Sequence, residues 1–242
     1  MNDTVTTENL FILKQANSHI LTHAELAHKL DTRWFQSSFW EEQANPIHHR
    51  GGRGMAWFIN SAEGNWVLRH YMRGGQAKRL SKRSYVFMHQ KYVRSFQEFY
   101  LLHQLFNAGL NVPKPIAARY VKNTYFSYQA EIIIERIPGA QPLADFISED
   151  NNLSLWRQAG ALIRQFHDYG VFHADLNCHN ILVAESGLYL IDFDKGTLKQ
   201  GERWKQENLH RLKRSVDKLC GVHAHTLWNS LLAGYYCFPN SA

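Results

Sequence analysis

Two short segments near residues 171–196 constrain the fold more than any other part of the chain. In "VFHADLNCHNILVAESGLYLIDFDKG", the apolar runs ILVA and LYLID flank the turn-like ESG, which is the pattern of a β-hairpin. Asn180 stands directly before the first run and Asp192 closes the second. The open end of such a hairpin brings these two positions together. The sequence therefore predicts a hairpin that presents an amide and a carboxylate side by side.

The chemistry of these side chains indicates phosphoryl transfer. An amide oxygen and a carboxylate suit a hard divalent cation, and Mg²⁺ with phosphate oxygens is the natural occupant of a site on Asn180 and Asp192. Asp175, outside the metal pair, can accept a proton from an attacking hydroxyl. We expect His173 to have a structural role, in which it links the loop that contains Asp175 to the strand that ends at Asp192. This H-x-D-x-x-x-x-N spacing followed by D-F is typical of the protein-kinase superfamily, and chance turn aspartates rarely keep all four positions in order.

The preceding part of the chain offers matching nucleotide-binding candidates. Gly51, Gly52 and Gly54 in "RGGRG" lie between strand-like segments, where backbone N–H groups can cover phosphates, although ordinary turns use such glycines equally often. Arg69 follows on the next strand, "NWVLRHY". Glu98 shares the apolar face of the helix "SFQEFYLLHQLF", and a buried carboxylate needs a partner, for which Arg69 is the candidate. The alternative is a solvated Glu98 at the edge of that face.

The order of elements predicts an α+β chain of two lobes. Strand patterns and one main helix precede "IPGAQP", and helices dominate after it. We expect an antiparallel-sheet N-lobe with the glycine-rich loop over 1–137. A short, mostly helical C-lobe over 138–242 would hold the catalytic loop, the metal site and two basic amphipathic helices. At 242 residues and 45% hydrophobic composition, the chain is long enough for a sizeable core.

Several stretches together resemble a known family. "HADLNCHNILV", "LIDFDKG", "VLRHYMRGG", "EFYLLHQLFNAGLNVPKPIAARY" and "ERIPGAQPLADF" are similar to the kinase-fold family of lipopolysaccharide-core sugar kinases, and the similarity runs from Arg50 to the "DFDKG" segment. The resemblance implies ATP-dependent phosphorylation of the 4-hydroxyl of a 3-deoxy-D-manno-octulosonic acid (Kdo) residue on a lipid A precursor. It also implies that the chain comes from a Gram-negative bacterium and acts as a peripheral protein at the cytoplasmic face of the inner membrane.

The resemblance assigns roles to individual residues. Asp175 matches the catalytic base, and Asn180 and Asp192 match the magnesium ligands. Arg69 stands where most kinases have a phosphate-pairing lysine, and arginine offers phosphate a planar fork of donors where lysine offers a point charge. Asp194 replaces the glycine of D-F-G, so an activation-loop flip is not implied.

The sequence argues against a protein substrate and leaves other kinase functions open. Ala174 and Asn177 occupy positions where regulated protein kinases have arginine and lysine, and only 50 residues (242 − 192) follow Asp192, without an A-P-E motif. The alternatives are a heptose kinase of the same pathway and a RIO-like kinase or ATPase. A non-catalytic binder is less favoured because Asp175, Asn180 and Asp192 are all present.

Charge and cysteine usage bear on partners and compartment. The formal net charge is +6, and residues 64–97 contain no acid. In that segment, basic residues alternate with aromatic ones: Arg69, Arg73, Lys78, Arg79, Lys82, Arg83, Lys91 and Arg94 with Trp66, Tyr71, Tyr85, Phe87, Tyr92 and Phe96. Such a pattern suits anionic headgroups or RNA, or else a solvated face over core aromatics.

We expect the partners to be the Kdo-bearing lipid precursor and an anionic membrane surface, with no nucleic acid and no protein partner. Three widely spaced cysteines favour a reducing cytoplasm, and neither a signal peptide nor a membrane span is predicted.

Overall fold

The computed structural model describes residues 9–42, 48–50, 56–72 and 84–237. Its contacts divide the chain into two compact units. The first contains Met1–Gln104 and Lys114–Arg136, and the second contains Leu105–Pro113 and Ile137–Ala242. The three glycines of "RGGRG" lie outside the described residues.

The first unit is built on one antiparallel sheet. Its strands are β1 (Leu10–Gln15), β2 (Ser18–His23), β3 (His48–Arg50), β4 (Ala56–Ser61), β5 (Gly64–His70), β6 (Tyr85–Val86), β7 (Pro115–Thr124) and β8 (Ser127–Glu135). Their order is β1-β2-β7-β8-β5-β4-β3, and β6 pairs with β8. All these pairings are antiparallel, so Arg69 lies between Ala56 of β4 and Ile132 of β8.

Aromatic and aliphatic side chains form the core of this unit. Alternation along β5 buries Trp66 and Leu68 on the same face of the sheet. Trp34 and Trp40 of the segment "RWFQSSFW" pack against Trp66, with ring centroids 4.9 and 6.0 Å away. Two short helices, α1 (Ala24–Ala27) and α2 (Ser37–Glu42), precede the main helix α3 (Arg94–Asn107).

The second unit is mostly helical. Its helices are α4 (Glu149–Tyr169), α5 (Arg203–Cys220) and α6 (Ala224–Cys237), and its short strands are β9 (Gln141–Pro142), β10 (Val171–Phe172), β11 (Ile181–Ala184), β12 (Gly187–Leu190) and β13 (Thr197–Leu198). The sheets are β12-β11-β9 and β10-β13. Helices α4 and α6 approach closely because Gly160 faces the backbone of Leu231 and Gly234 faces the backbone of Arg157.

The α+β class is confirmed, with a sheet-rich first part and a helical second part. One detail differs from expectation. Helix α5 is basic and amphipathic as predicted, whereas α6, "AHTLWNSLLAGYYC", has no Asp, Glu, Lys or Arg and packs on α4 as an apolar helix. Within the described ranges, no helix combines the length and apolar character that spanning a bilayer requires.

Candidate active site

The predicted hairpin is present, and it places two candidate metal ligands at its open end. Strands β11 and β12 pair in antiparallel register with Ile181 opposite Leu190. The Ile191 amide then donates to the Asn180 carbonyl at 3.0 Å, which extends the ladder by one step. Asn180 and Asp192 are therefore held at the same end of the hairpin.

The loop before the hairpin, residues 173–180, is tied together by asparagine side chains, and we refer to it as the catalytic loop. The side-chain nitrogens of Asn177 and Asn180 both donate to the Asp175 carbonyl, at 2.8 and 2.9 Å. The His179 amide donates to the side-chain oxygen of Asn177 at 2.9 Å. Because the Asn180 nitrogen is engaged in this loop, its amide oxygen is the atom suited to a cation.

Asp175 and Asp192 line one cleft of the second unit, of about 250 Å³, together with Ala174, Asp194, Lys195 and Arg211. The Asp175 side chain is 61% exposed there. Asp192 adopts a left-handed backbone conformation with φ of 65°, which costs some strain in a non-glycine residue. A larger groove of about 340 Å³ beside Tyr235 contains none of the predicted site residues.

The donor set fits a magnesium ion that phosphate oxygens complete. An asparagine oxygen and an aspartate oxygen are hard ligands, as Mg²⁺ prefers. Among the side chains that the structure describes, no group of three or more His, Cys, Asp or Glu could hold a metal by itself. The remaining ligands of a cation on Asn180 and Asp192 would therefore be nucleotide oxygens and water.

His173 joins the catalytic loop to the hairpin, the structural role expected from the sequence. Its ring Nε2–H donates to the Ile191 carbonyl at 2.9 Å, and its Nδ1 accepts from the Asp175 amide at 3.2 Å. Burial lowers the pKa of His173. The neutral ring therefore fixes the backbone of Asp175 relative to the residue before Asp192.

Asn208 is a buried residue of the site that sequence reasoning missed. Its side chain brackets the backbone of His173: the oxygen accepts from the amide at 3.3 Å, and the nitrogen donates to the carbonyl at 2.7 Å. His167 donates from Nε2 to the same oxygen at 3.3 Å and accepts from the Tyr235 hydroxyl at 2.8 Å. Burial lowers the pKa of His167 to about 4. Its ring is therefore neutral near pH 7, as these bonds require.

Arg211 is the second missed residue, and it contacts Asp175 directly. Its Nη1 donates to Oδ1 of Asp175 at 2.8 Å. The residue comes from α5, far along the chain from the motif, and looks in sequence like any other basic residue of an amphipathic helix.

In the first unit, the structure brings Arg69 and Glu98 together. Nη1 of Arg69 donates to Oε1 of Glu98 at 3.0 Å, and the Tyr71 hydroxyl donates to the other oxygen. Glu98 is only 2% exposed, so the alternative of a solvated carboxylate is wrong. Glu98 comes from α3 and Arg69 from β5, so the pair also links the main helix to the sheet.

Four of the six aromatic residues of the basic and aromatic segment belong to the core. Trp66, Tyr71, Tyr85 and Phe96 are buried, so they cannot contact a membrane or nucleic acid. The Arg94 guanidinium lies 4.7 Å from the Tyr85 ring centre. The other basic residues of interest, Arg73, Lys78, Arg79, Lys82 and Arg83, lie outside the described residues.

Comparison with known proteins identifies the family. The model of the lipopolysaccharide kinase (Kdo/WaaP) family matches residues 37–235. The chain belongs to this family. A curated relative from Haemophilus influenzae, named 3-deoxy-D-manno-octulosonic acid kinase, is 41% identical over 236 residues that span 92% of this chain and 98% of the relative. The predicted membership in the family of lipopolysaccharide-core sugar kinases is confirmed.

Solved structures agree on the fold. WaaP in complex with acyl carrier protein matches with a TM-score of 0.51 and 14% identity over 86% of both chains. The Rio2 kinase from Chaetomium thermophilum, solved with ADP, Mg²⁺ and a phosphoaspartate, matches with a TM-score of 0.51 and 16% identity over 96% of this chain and 77% of its own. At these identities the likeness concerns the fold alone, which is kinase-like as predicted.

Proposed function

We propose that the chain transfers the γ-phosphoryl group of ATP to the 4-hydroxyl of a Kdo residue on a lipid A precursor. The observation that carries the proposal is the 41% identity over nearly the whole length of a relative named for Kdo phosphorylation. The chain also has the residues proposed for this reaction: Asp175 as the base, and Asn180 and Asp192 as the metal ligands.

In this reaction Asp175 acts as the general base. Its exposed carboxylate orients the sugar hydroxyl and accepts its proton as the oxygen forms a bond to the γ-phosphorus. The bond from that phosphorus to the bridging oxygen breaks, and ADP leaves. Asn180 and Asp192 would hold a magnesium ion, which when bound neutralises charge on the phosphate oxygens. His173 and Asn208 keep the backbone of the base in place.

Arg69 is the proposed phosphate anchor, held by Glu98. The buried carboxylate and the guanidinium share a bond of 3.0 Å, so the side chain is ordered before nucleotide binds. An arginine can offer two parallel N–H donors to phosphate, where lysine offers a point charge. The glycines 51, 52 and 54 are proposed to cover the phosphates.

A surface of the first unit fits peripheral attachment to an anionic membrane. At the turn between β7 and β8, Tyr125 is 89% exposed and Phe126 is 75% exposed. Exposed Val86 and Met88 lie alongside, because Val86 pairs with Ser127 and the Phe87 amide donates to the Phe126 carbonyl. We call these four residues, Val86, Met88, Tyr125 and Phe126, the tip patch.

The charge around the tip patch is suited to anionic headgroups. Lys122 lies 4.0 Å above the Phe87 ring beside the patch. Residues 99–130, which contain β7 and the turn, include no Asp or Glu. Apolar and aromatic side chains with nearby cations are the combination that interfacial binding uses. This attachment would place the enzyme on the cytoplasmic face of the inner membrane, where a lipid acceptor is accessible.

Vesicle sedimentation tests the attachment without any kinase assay. The protein should bind vesicles with phosphatidylglycerol more strongly than neutral phosphatidylcholine vesicles, and Tyr125→Ser with Phe126→Ser should weaken that binding. Val222→Ser is the control, since Val222 is an exposed apolar residue of the second unit. Equal binding by the tip variant and the control would rule out the tip patch.

An acceptor panel tests the proposed reaction. The protein is incubated with magnesium and ATP and, separately, with a lipid A precursor that carries Kdo, one that carries heptose, and one with neither sugar. Mass analysis should show one added phosphoryl group on the Kdo acceptor alone. Transfer to the heptose acceptor alone would instead favour a heptose kinase, and transfer to none of the three would contradict the proposal.

A further inference from the structure

The two carboxylate oxygens of Asp175 have different partners. Oδ1 accepts a short, charged hydrogen bond from Arg211 at 2.8 Å. Among the residues that the structure describes, the partner of Oδ2 is the Asn177 side-chain nitrogen, at the long distance of 3.3 Å. An incoming hydroxyl can displace the weak amide contact far more easily than the guanidinium. The carboxylate is thus held by Arg211 through Oδ1, while Oδ2 can accept a hydrogen bond from an incoming hydroxyl.

The partner of Asp175 also replaces a cation that the catalytic loop lacks. Protein kinases usually have a lysine two residues after the catalytic aspartate, whereas this chain has the neutral Asn177 there. The side chain of Asn177 is engaged with the Asp175 carbonyl at 2.8 Å. Lys195 lines the same cleft, and the cation that is hydrogen-bonded to Asp175 comes from α5, 36 residues further along the chain.

Helix α5 is fixed to the catalytic loop on both sides of Arg211. About one turn before it, Asn208 binds the backbone of His173. About one turn after it, the Ser215 hydroxyl accepts from the Cys178 amide at 3.2 Å. These two attachments flank Asp175 in the loop as they flank Arg211 in the helix, so the helix holds the guanidinium opposite the carboxylate.

We propose that Arg211 is the positioning residue for the catalytic base: it holds Oδ1 of Asp175 so that Oδ2 faces the acceptor hydroxyl. The proposal rests on the proposed function. A carboxylate that is mostly exposed samples several side-chain orientations unless something restrains it, and misplacement of a reacting group by about 1 Å can cost about 100-fold in rate. Exposed ion pairs contribute little to stability, so this pair has its main effect on the geometry of the base.

Three variants test the proposal by steady-state kinetics. Arg211→Ala should lower kcat by about 10- to 100-fold with the KM for ATP unchanged, because orientation and not nucleotide binding is lost. Arg211→Lys should retain more activity than Arg211→Ala. Arg214→Ala is the matched control, since Arg214 is an exposed arginine of the same helix with no described bond to Asp175, and it should leave kcat unchanged.

Chemical rescue separates positioning from a general effect on structure. Guanidinium ion added at millimolar concentration should restore part of the kcat of Arg211→Ala, because the 44% exposed side chain leaves a space open to solvent. It should not change the control. A kcat of Arg211→Ala within about threefold of the wild type would overturn the proposal, and so would a larger loss that neither Arg211→Lys nor guanidinium ion relieves. So would a raised acceptor KM at unchanged kcat, which would make Arg211 a ligand of the acceptor instead.

The outcome can be separated from that of the proposed function. We expect slow ATP hydrolysis in the absence of acceptor, with water in place of the sugar hydroxyl, and its rate is a second readout. If the wild type fails on every sugar, the proposed function is wrong, while the drop in hydrolysis for Arg211→Ala and its rescue still decide the role of Arg211. Hydrolysis that is equal in Arg211→Ala and the wild type would overturn the positioning role.

Discussion

Acidification should destabilise this protein through His167, a buried ring that is connected to the catalytic loop through Asn208. In the folded chain, burial lowers the pKa of His167 from 6.5 to about 4, with the Asn208 bond acting in the opposite direction. The unfolded chain therefore takes up a proton below pH 6.5 that the folded chain does not. His167 therefore does not lower the free energy of unfolding above about pH 6.5, and it lowers it progressively as the pH falls towards 4.

The two pKa values set the size of the effect. Proton linkage with values of 6.5 and about 4 removes about 2 kcal/mol between pH 7 and pH 5, and about 3 kcal/mol once the pH is below both values. The loss is a substantial fraction of the usual stability of a domain, about 5–15 kcal/mol. The catalytic loop should loosen with it, because His167 and the loop share the Asn208 side chain.

Urea unfolding at pH 7, 6 and 5 measures the effect, with His167→Gln as the comparison. Glutamine can still donate to Asn208 and accept from Tyr235, but it does not titrate. The wild type should lose about 2 kcal/mol more than His167→Gln between pH 7 and pH 5. His173 is present in both proteins, so its own titration cancels in the difference. An equal loss of unfolding free energy in the two proteins would show that His167 is not the titrating group.

Three further substitutions follow from individual contacts. Asp192→Ala should abolish magnesium-dependent ATP binding, measured by calorimetry with and without the metal; an unchanged metal requirement would count against Asp192 as a ligand. Glu98→Ala should raise the KM for ATP and lower the free energy of unfolding by about 2 kcal/mol, since Arg69 and the Tyr71 hydroxyl lose their acceptor; an unaltered KM would argue against Arg69 as the phosphate anchor. Gly160→Ala should cost about 3 kcal/mol or more in thermal unfolding, because its methyl group would lie 1.9 Å from the Leu231 carbonyl oxygen; a small change would mean that α4 and α6 separate easily.

The local parts of the site could be predicted because their signals are local. Asn180 and Asp192 are brought to one end of a hairpin by a two-residue turn, Glu185 and Ser186, between two apolar runs, and hairpin pairing needs no information from elsewhere in the chain. Helical periodicity put Glu98 on the apolar face of its helix and left a solvated position at the edge of that face open. Its partner could then be inferred from the cost of an unpaired buried charge.

Arg211 and Asn208 could not be found in the same way, because the docking of α5 on the catalytic loop is a tertiary event. Arg211 is one of several basic residues on a basic helix, and nothing local distinguishes it. Asn208 did leave a trace, since Trp204, Leu212 and Val216 mark a buried stripe at intervals of four in which Asn208 is the one polar member. A polar residue within a buried stripe must have hydrogen-bond partners, so this pattern predicts that Asn208 binds another segment of the chain.

The position of the transferred phosphate decides whether this protein is a kinase of the Kdo 4-hydroxyl with Asp175 as its base. The wild type and Asp175→Asn are each incubated with magnesium, ATP and the Kdo-bearing lipid A precursor, and the product is analysed by mass and by phosphorus–proton correlation in NMR. We expect one phosphoryl group on the 4-oxygen of Kdo from the wild type. Transfer by Asp175→Asn, which should still bind ATP, should be slower by about 10²- to 10⁴-fold. A phosphate at another position, or a variant as fast as the wild type, would contradict this assignment.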